Sequence, residues 1–451
     1  MKAPPAELPQ PTHTLASFCG YINKVFHFRD FLPNLSDARH APDISAQSVF
    51  LALFHGFVFR LSSVPQLEAD LTEPHLQRWI EAKRAFGDDV LRYSLCGFAL
   101  EPLTEMLVDI NRRLKRNKAF EPGRVQGRMV AALDGIEVLS SYSRCCEFCL
   151  QRRVVSLDAS GNPVEQIQYY HRAVGCQIIS SPVKPFLAIE WVQPGEGEDT
   201  AALRLLHALP ERYGSAFFDI LLLDSLYAQA PVLKLAEQLG WDLVISLKQE
   251  ARQLYQSAMG LFQSRCPEHC FQEQQGGKTY EVRLWDTEGL PFTEDHPQPV
   301  RVVRSQETVT ENHYRRGKLQ PQTSEHEWLW LTTLDPRVFS GPQIRRLGHD
   351  RWKQENNGWN DLTQNWALKH DFLHACKHRP KVESSSGERQ PVANHGLAAV
   401  TLIRCVAFAL SSAFVLLHSK IFRRYSLSRR EVARQLYRSL WKDPPDIRAP
   451  A

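Results

Sequence analysis

The order of apolar segments between Met129 and Lys248 most constrains the fold of this 451-residue chain. Three short runs of strand-like composition come first, and two helix-like segments then alternate with two further strand-like runs. In chain order they are MVAALDGIEV, RAVGCQIIS, PFLAIEWV, DTAALRLLHALPERY, FFDILLLD, QAPVLKLAEQLG and WDLVISLK. Strands that alternate with helices are joined by crossovers that place them in one sheet. The sequence therefore predicts an α/β fold with parallel crossover units.

The segments on either side of this core have a different character. Residues 15–124 carry apolar residues at helical spacing, as in AQSVFLALFHGFVFRLSS, which predicts a helical N-terminal domain. A clean helix-turn-helix signature is missing, so a DNA-end-binding domain and a simple helical cap both remain open. The other predicted divisions are a disordered leader over 1–14, the first part of the core over 125–248, a β-rich insertion over 249–335, a core helix over 336–376, a mobile loop over 377–392 and C-terminal helices, basic at the end, over 393–451.

Two aspartates stand directly at the ends of apolar strand-like runs. Asp134 closes MVAAL, and Asp224 closes DILLL. In an open α/β sheet, ligands collect just beyond the carboxyl ends of the strands, so both are candidate site residues. A single aspartate at such a position more often begins a turn or caps a helix. Two of them on one sheet, followed by a carboxylate on a later helix, form a more specific pattern.

The third carboxylate is Glu355, which lies in RWKQENNG four residues after Arg351. On a helix this spacing puts the two side chains on one face, where such a pair is usually a surface ion pair worth roughly a few tenths of a kcal/mol. Its place after the predicted sheet makes Glu355 a candidate for the same site as the two aspartates.

These segments resemble the cut-and-paste insertion-sequence transposases, which carry a DDE triad on an RNase H-like fold. LDG at residues 133–135 resembles the family's first-Asp strand, and LLLDSLYAQAPVLKLAEQLGWDLVISLK resembles its second-Asp block. RWKQE is similar to the family's Arg-x3-Glu signature. The resemblance covers residues 125–375 and, loosely, the helical N-terminus. It implies an α/β protein with an RNase H-like catalytic core, a β-rich insertion and an α-helical N-terminal domain, with the catalytic residues Asp134, Asp224 and Glu355.

Two positions depart from the family pattern. Gly348 stands where the family usually has a tyrosine before the arginine, and Leu362 stands where it has a lysine after the glutamate. Those groups would contact DNA phosphates, so the departures bear on the DNA-end contacts rather than on the triad. The predicted DNA-binding residues are Arg351, Trp352, Lys353, Asn356 and Lys369.

The resemblance implies phosphodiester cleavage with two Mg²⁺ ions, for which Mn²⁺ can substitute. Two ions about 3.5–4 Å apart stabilise both the attacking and the leaving oxygen of an in-line displacement, and such hard cations take carboxylate ligands. We assign Asp134 to both ions, Asp224 to one and Glu355 to the other. Water first exposes a 3′-hydroxyl at the element end, and this hydroxyl then attacks target DNA. Trp352 and Trp359 would stack on an unpaired base or, more simply, belong to the core.

The ten cysteines are mostly scattered, and reduced thiols are the default for such a chain. Two groupings suit structural Zn²⁺, which takes sulfur and nitrogen ligands. One is the CxxC motif with His171 and Cys176 downstream, and the other is CPEHC, which includes His269. A separate histidine-rich group is expected to face DNA or solvent rather than to bind a metal. It consists of His370, His374, Cys376 and His378. Because spacing alone does not fix a four-ligand set, reduced thiols remain the alternative to the candidate zinc ligands Cys146, Cys149, Cys266 and Cys270.

Charge and hydropathy suggest where the protein acts. The formal net charge is only +4, but residues 420–442 are strongly basic, which suits a polyanionic partner or a solvated helix. The apolar segment 396–417 has Arg404 near its centre, which favours a buried core helix over a membrane span. The N-terminus lacks a signal-peptide pattern. We expect a cytoplasmic, nucleoid-associated protein that acts on double-stranded DNA, both element ends and target. The family resemblance adds a homodimer on paired ends.

Two other interpretations stay open at this point. One is a catalytically inactive DNA-binding relative of these transposases, which the missing tyrosine and lysine mildly favour. The other is an unrelated zinc-stabilised α/β protein whose carboxylates are incidental. Convergence of the three carboxylates within a few ångströms would exclude the second.

Overall fold

The computed structural model describes most of the chain. The predicted leader over 1–14 lies outside the described residues apart from Thr14, as do residues 384–388 of the predicted mobile loop. Three members of the predicted histidine-rich group also lie outside them: His370, Cys376 and His378. The described residues are 14–61, 63–157, 161–248, 252–315, 318–369, 373–374, 379–383, 389–418 and 428–441.

Short helices make up the N-terminal region, which confirms its predicted helical character. Several begin at ordinary capping residues, because the side-chain oxygens of Thr14, Ser45 and Ser63 accept hydrogen bonds from backbone N–H groups of the first turns. The helices are α1 (Leu15–Phe26), α2 (Phe28–Phe31), α3 (Ala46–Val58), α4 (Val64–Leu71), α5 (Pro74–Trp79), α6 (Asp88–Cys96) and α7 (Leu100–Arg116).

The central sheet has the topology of an RNase H-like core. Its strands are β1 (Val130–Ser141), β3 (Pro163–Ile178), β4 (Phe186–Trp191), β5 (Ile220–Leu223) and β6 (Asp242–Ser246). β3 pairs antiparallel with both β4 and β1, whereas β1, β5 and β6 run parallel. The parallel strands are reached through α8 (Glu198–Tyr213) and α9 (Ala230–Leu239). This order confirms the predicted α/β class and RNase H-like core.

A long hairpin between β1 and the core part of β3 is a difference from the sequence prediction. β2 (Leu150–Leu157) pairs with the first half of β3, in a stretch that the sequence suggests is only polar and cysteine-containing. Most of β2 is exposed, including Val155 and Leu157, which are 68% and 72% exposed. A strand with neither face buried has no apolar alternation, so its sequence carries no period-two signal.

The predicted β-rich insertion is present, and it extends the core sheet. Its last strand pairs with β6 in antiparallel register, for example Trp330 with Ser246. The sheet therefore continues without a break from the core into the insertion. The insertion also begins with a helix that the sequence prediction did not include. Its elements are α10 (Gln253–Gln263), β7 (His269–Gln275), β8 (Lys278–Thr293), β9 (His296–Arg315) and β10 (Lys318–Thr332).

The helix after the insertion contains a π-helical turn that includes Gly358. It consists of α11 (Gly341–Asp350), α12 (Trp352–Gln354), the π-helical turn Glu355–Trp359 and α13 (Asn360–Asn365). A side chain at Gly358 would lie 2.5 Å from Oε1 of Gln177 on β3, so glycine allows this close approach to the sheet. Single π-helical turns inside helices are frequent at functional sites.

The last part of the described chain holds the apolar segment. α14 (Gly396–Ala413) and the π-helical turn Phe414–His418 are long and apolar enough to cross a membrane, yet 78% of the apolar window is buried inside the protein. Arg404 is 1% exposed, and its guanidinium lies 4.8 Å from the centre of the Phe57 ring. Burial lowers the pKa of Arg404 to about 9. This segment is a core helix, as predicted.

Two smaller elements complete the described chain. Part of the predicted mobile loop forms an antiparallel pair, β11 (Lys381–Glu383) with β12 (Arg389–Pro391). The final helix, α15 (Arg429–Leu440), belongs to the predicted basic segment and packs against α1, where the Leu15 N–H donates to the hydroxyl of Ser439 at 2.8 Å.

Candidate active site

The two predicted aspartates follow the parallel pairing of β1 with β5. The prediction that Asp134 closes a strand is wrong, because β1 continues to Ser141 by pairing with β3. β1 and β5 pair with Val130 opposite Ile220 and Ala132 opposite Leu222. Continued by two residues, the same register places Asp134 beside Asp224. Neighbouring strands are about 4.8 Å apart, so the two carboxyl groups leave the sheet close together, at the edge where α/β proteins bind ligands.

Asp134 lies in a cramped, largely dehydrated position. Burial raises its pKa to about 6; the nearby charge of Arg351 opposes this shift, and those of Asp224 and Glu198 add to it. The Arg351 guanidinium is itself buried and lies 3.4 Å from the Asp134 carboxylate. Its Nε has no hydrogen-bond partner among the described residues. The Arg351 guanidinium therefore lies beside the Asp134 carboxylate with one donor nitrogen left for another partner.

Asp224 is held differently, at the start of the short 3₁₀ turn Ser225–Tyr227. Burial alone would raise its pKa, but the Ser225 N–H, Arg351 and Lys248 together lower it below its usual range. The Ser225 N–H donates to Oδ1 at 2.6 Å, and the ammonium group of Lys248 is 3.6 Å from the same oxygen. Lys248 ends the second-Asp block noted in the sequence, and its place beside Asp224 explains why a lysine suits that position.

Glu355 is the first residue of the π-helical turn and is exposed. The preceding α12 packs against β1, and there Gln354 donates from its amide nitrogen to the Gly175 carbonyl at 2.6 Å. In the described part of the chain, the three predicted triad carboxylates do not lie together within the distance that one shared ion requires. Carboxylates without a cation between them repel one another, and an exposed glutamate is free to turn toward solvent.

A further acidic residue near the two aspartates was not predicted from the sequence. Glu198 begins α8 and accepts a hydrogen bond of 2.7 Å from the hydroxyl of Tyr227. It also forms an ion pair with Arg172 on β3. A side chain at Gly135 would lie 2.4 Å from the Glu198 carboxyl group, which explains the glycine in LDG. The tyrosine three residues after Asp224 was the one signal that could have pointed to this network.

The two positions that depart from the family pattern, Gly348 and Leu362, lie in the packed core. A Cβ at Gly348 would lie 2.1 Å from the indole nitrogen of Trp330, a side chain that is 1% exposed. Leu362 is fully buried. Neither position can therefore present a group to DNA, because Trp330 fills the space beside α11 and Leu362 lies inside the core.

This close packing predicts opposite effects of two glycine-to-alanine substitutions in helices. We expect Gly348→Ala to lower the free energy of unfolding by about 1–3 kcal/mol, because Trp330 has no room to move. Gly260→Ala in α10 meets open space and should raise it by up to about 1 kcal/mol, since alanine is the better helix former. Urea denaturation followed by circular dichroism measures both. Equal effects of the two substitutions would contradict the packing seen around Trp330.

The predicted DNA-binding residues differ in how available they are. Trp352 is 39% exposed and packs edge-on against Trp328 at 5.3 Å between ring centres. Lys353 forms an ion pair of 2.7 Å with Asp350. Asn356 and Lys369 are exposed, whereas Arg351 is buried beside the aspartates and Trp359 is 3% exposed against Phe186. Trp359 is thus a core residue, the simpler of the two interpretations.

Cysteine and histidine side chains form a cluster that the sequence analysis predicted only in part. Cys146 and Cys149 meet His171, as the downstream histidine suggested, and they also meet His374. The expectation that His374 faces DNA or solvent is therefore wrong: it is 5% exposed. His374 lies more than 200 residues after the two cysteines. Sequence spacing alone therefore cannot assign it to the same ligand group.

The other candidate zinc ligands lie elsewhere. Cys270 is on β7, at the opposite edge of the sheet from β2 and β3, and Cys266 lies just before that strand; both are exposed. They are not part of the group formed by Cys146 and Cys149. Cys176 is fully buried on β3 and is not part of it either. The sheet separates the two cysteine motifs, which the linear sequence does not reveal.

Comparison with known proteins gives one family. Residues 150–359 match the family model described as "Transposase DDE domain", a span that includes Asp224 and Glu355 and begins after Asp134. No curated protein matches the chain. Among solved structures, the chain is similar to that described as "Cryo-EM structure of piggyBac transposase synaptic complex with hairpin DNA", with 11% sequence identity and a TM-score of 0.38 over 95% of this chain and 80% of that chain. So distant a likeness adds nothing to the family match.

Proposed function

This chain belongs to the DDE-class transposases, and from that premise we propose that it cuts the ends of its own element and joins them to target DNA. The observation that carries the proposal is the parallel register of β1 and β5, which brings Asp134 beside Asp224 when it is continued by two residues. Membership of this family excludes an unrelated zinc-stabilised protein with incidental carboxylates. The proposed place of action is the cytoplasm, at the nucleoid.

The residues at the strand ends suit divalent cations of the Mg²⁺ type. Asp134 and Asp224 offer hard oxygen ligands, and their side chains keep 18% and 31% exposure, so an ion can reach them. Burial raises the pKa of Asp134, and the nearby charge of Arg351 offsets this shift only in part. Glu355 lies one helical turn beyond Arg351 and is the third proposed ligand. Bound there, two Mg²⁺ ions would polarise the phosphate and stabilise the leaving oxygen.

The chain's own groups orient the DNA around this point. Arg351 has a donor nitrogen with no partner in the described residues, and a guanidinium suits a phosphate oxygen. Lys248, half-exposed beside Asp224, offers a second positive charge to the same phosphate. Trp352 presents an exposed aromatic face next to Glu355, where an unpaired base can stack. These groups position the strand, and the carboxylates hold the reacting phosphate in place.

The proposed reaction has two balanced steps. Water attacks the phosphodiester at the element end, so a new P–O bond forms on the 5′-phosphate side and the 3′-oxygen leaves and takes a proton. That 3′-hydroxyl then attacks a phosphodiester of target DNA, loses its proton and forms the joint, while the target's own 3′-oxygen leaves. No covalent link to the protein is required in either step. A homodimer, with one subunit on each end, would hold the two reacting ends together.

A basic groove gives the duplex a place to lie beyond the reacting phosphate. Lys369 lines it together with Arg60 from the N-terminal region and Arg430 and Arg434 from α15. Lys369, Arg430 and Arg434 are exposed. Their charges come from three parts of the chain but face one groove, as expected for a track along a phosphate backbone. We name the groove formed by these four side chains the basic groove.

This arrangement predicts a salt-dependent effect at the basic groove. The double substitution Lys369→Gln and Arg434→Gln should weaken duplex binding about equally for any sequence, because it removes two phosphate contacts. The slope of log affinity against log salt should fall by about 2. Fluorescence anisotropy at several salt concentrations measures the slope. The control is Lys278→Gln, which removes a charge on the insertion. An unchanged slope for the double variant would exclude the basic groove as a DNA track.

A catalytically inactive, DNA-binding relative remains the second candidate function. The observation that favours it is that Gly348 and Leu362 stand where the family has a tyrosine and a lysine, and both positions are packed in the core. The two candidates predict different results with a labelled duplex that carries the terminal repeats flanking the coding sequence. An active transposase nicks this duplex at the repeat end when Mg²⁺ or Mn²⁺ is added. An inactive relative binds the duplex and leaves it intact under the same conditions.

A further inference from the structure

Three separate segments bring sulfur and nitrogen atoms together beside the hairpin of β2 and β3. Cys146 and Cys149 lie in the turn before β2, His171 lies on β3, and His374 follows the helix that carries Glu355. Their potential ligand atoms all lie within 4.8 Å of one another. We propose that one structural Zn²⁺ ion is bound by four side chains: those of Cys146, Cys149, His171 and His374.

The two sulfurs and His171 lie close to tetrahedral spacing, and His374 lies nearer to Cys149 than that spacing. Zinc–ligand bonds of about 2.3 Å to sulfur and about 2.0–2.1 Å to nitrogen place tetrahedral ligand atoms roughly 3.3–3.8 Å apart. The two sulfurs are 3.6 Å apart, and Nε2 of His171 is 3.2 and 3.4 Å from them. Nε2 of His374 is 2.9 Å from the Cys149 sulfur. The two sulfurs are too far apart for a disulfide, whose S–S bond is about 2.05 Å.

The backbone around the cysteines also favours a metal. The Cys146 N–H donates to the Cys149 sulfur at 3.2 Å. Such N–H donors stabilise thiolates, which are the form that binds zinc. Two thiolates and two neutral imidazoles would make the site electrically neutral with Zn²⁺. Neutrality fits the burial of Cys149, which is 5% exposed, because buried charges must be compensated.

An acidic residue inside the CxxC motif links the turn before β2 to the segment that follows His374. Glu147 accepts a hydrogen bond of 2.9 Å from the Asn394 N–H, and it forms an ion pair of 2.5 Å with Arg379. These contacts lie outside the four proposed ligands and support their positions. They make the same connection as the ion, from the turn before β2 to the segment after α13.

The ligand set assigns the ion a structural role. Four protein ligands close a tetrahedral site and leave no position for water or substrate. The ion would fasten the segment after α13 to β3 and to the turn before β2, and so anchor the far end of the helix that carries Arg351 and Glu355. This site uses none of the carboxylates of the proposed active site, so the two proposals can be tested independently.

The test measures metal in the purified full-length chain without DNA. We expect about one zinc per chain by mass spectrometry of the metal content, since one closed four-ligand site binds one ion. Cys149→Ser should lose that zinc. Cys145→Ser is the matched control, because Cys145 is the neighbour of Cys146, is exposed and lies outside the group; it should keep the zinc. A wild-type chain without zinc after expression in zinc-supplemented medium would overturn the proposal, as would equal loss in both variants.

A second measurement covers the case in which Cys149→Ser does not fold. Cobalt exchanged into the wild-type chain should give the visible absorption of tetrahedral Co²⁺ with thiolate ligands. His374→Cys should still bind cobalt, with the absorption shifted because a third sulfur replaces a nitrogen. A spectrum in His374→Cys identical to that of wild type would exclude His374 as a ligand. Octahedral cobalt in the wild-type chain would exclude the proposed site altogether.

Discussion

Asp224→Asn should abolish cleavage at the element ends while leaving DNA binding nearly unchanged. The substitution removes one negative oxygen ligand but keeps the shape of the side chain and its hydrogen bond from the Ser225 N–H. Metal-assisted stabilisation of the transition state is worth several kcal/mol, and each 1.36 kcal/mol is about tenfold in rate. We therefore expect a fall of at least about 10³-fold in the nicking rate. Single-turnover cleavage of a labelled end duplex in Mg²⁺ measures it.

The matched comparisons separate catalysis from folding and binding. Asp134→Asn and Glu355→Gln should lose cleavage to a similar degree, because each removes another proposed ligand. Glu211→Gln, an exposed glutamate on α8, should cleave at the wild-type rate. If Asp224→Asn retained cleavage within about tenfold of wild type, the proposed role of Asp224 would be wrong. If Glu355→Gln alone remained active, a different acidic residue would complete the site, and Glu198 would be the first to examine.

Glu307→Gln should cause a large loss of stability. Glu307 lies on β9, is 3% exposed and accepts hydrogen bonds from Arg345 at 2.8 Å and 3.0 Å. His349 contacts the same carboxylate at 2.8 Å. Removing one partner of a buried ion pair costs about 3–5 kcal/mol. Because Arg345 keeps a second partner, Glu273, at 2.6 Å, we expect about 3 kcal/mol, measured by urea denaturation at pH 7.

The pH dependence of this loss follows from the lowered pKa of Glu307. Burial alone would raise that pKa, but the hydrogen bonds from His349 and Arg345 lower it from 4.5 to about 2. The ionised carboxylate therefore stabilises the folded chain fully above pH 4.5, and this contribution disappears as the pH falls from 4.5 toward 2. The difference in the free energy of unfolding between wild type and Glu307→Gln should be constant from pH 7 to 5.5 and shrink below pH 4.5. A gap that grows on acidification would contradict this assignment.

A control on the same strand tests whether burial is the cause. Glu311 forms an ion pair of 2.7 Å with Lys278, but both side chains are well exposed, at 33% and 42%. Solvent screens exposed pairs, so Glu311→Gln should leave the free energy of unfolding nearly unchanged. The buried pair has a structural consequence as well. It fixes α11 to β9, and the same helical segment then carries Arg351 and Glu355 toward the strand ends.

The sequence by itself determined the core of this protein. The apolar runs before Asp134 and Asp224, and the helical segments that follow, predicted the α/β order, because apolar periodicity reports which faces are buried. The family signature around Arg351 and Glu355 pointed to the transposase class that the family match then gave. Gly135 and Lys248 belong to the sequence motifs of the family. The sequence does not show that Gly135 lies against Glu198 or that Lys248 lies beside Asp224.

Only the tertiary structure decided the rest. The β2–β3 hairpin has no buried face, so its sequence lacks a strand signal, and the pairing of β10 with β6 depends on partners far apart in the chain. His374 joins Cys146 and Cys149 because the chain after α13 returns to the hairpin, while the sheet keeps Cys270 at its other edge. Sequence spacing records neighbours along the chain, whereas a metal site or a packed tryptophan depends on which distant segments the fold brings together.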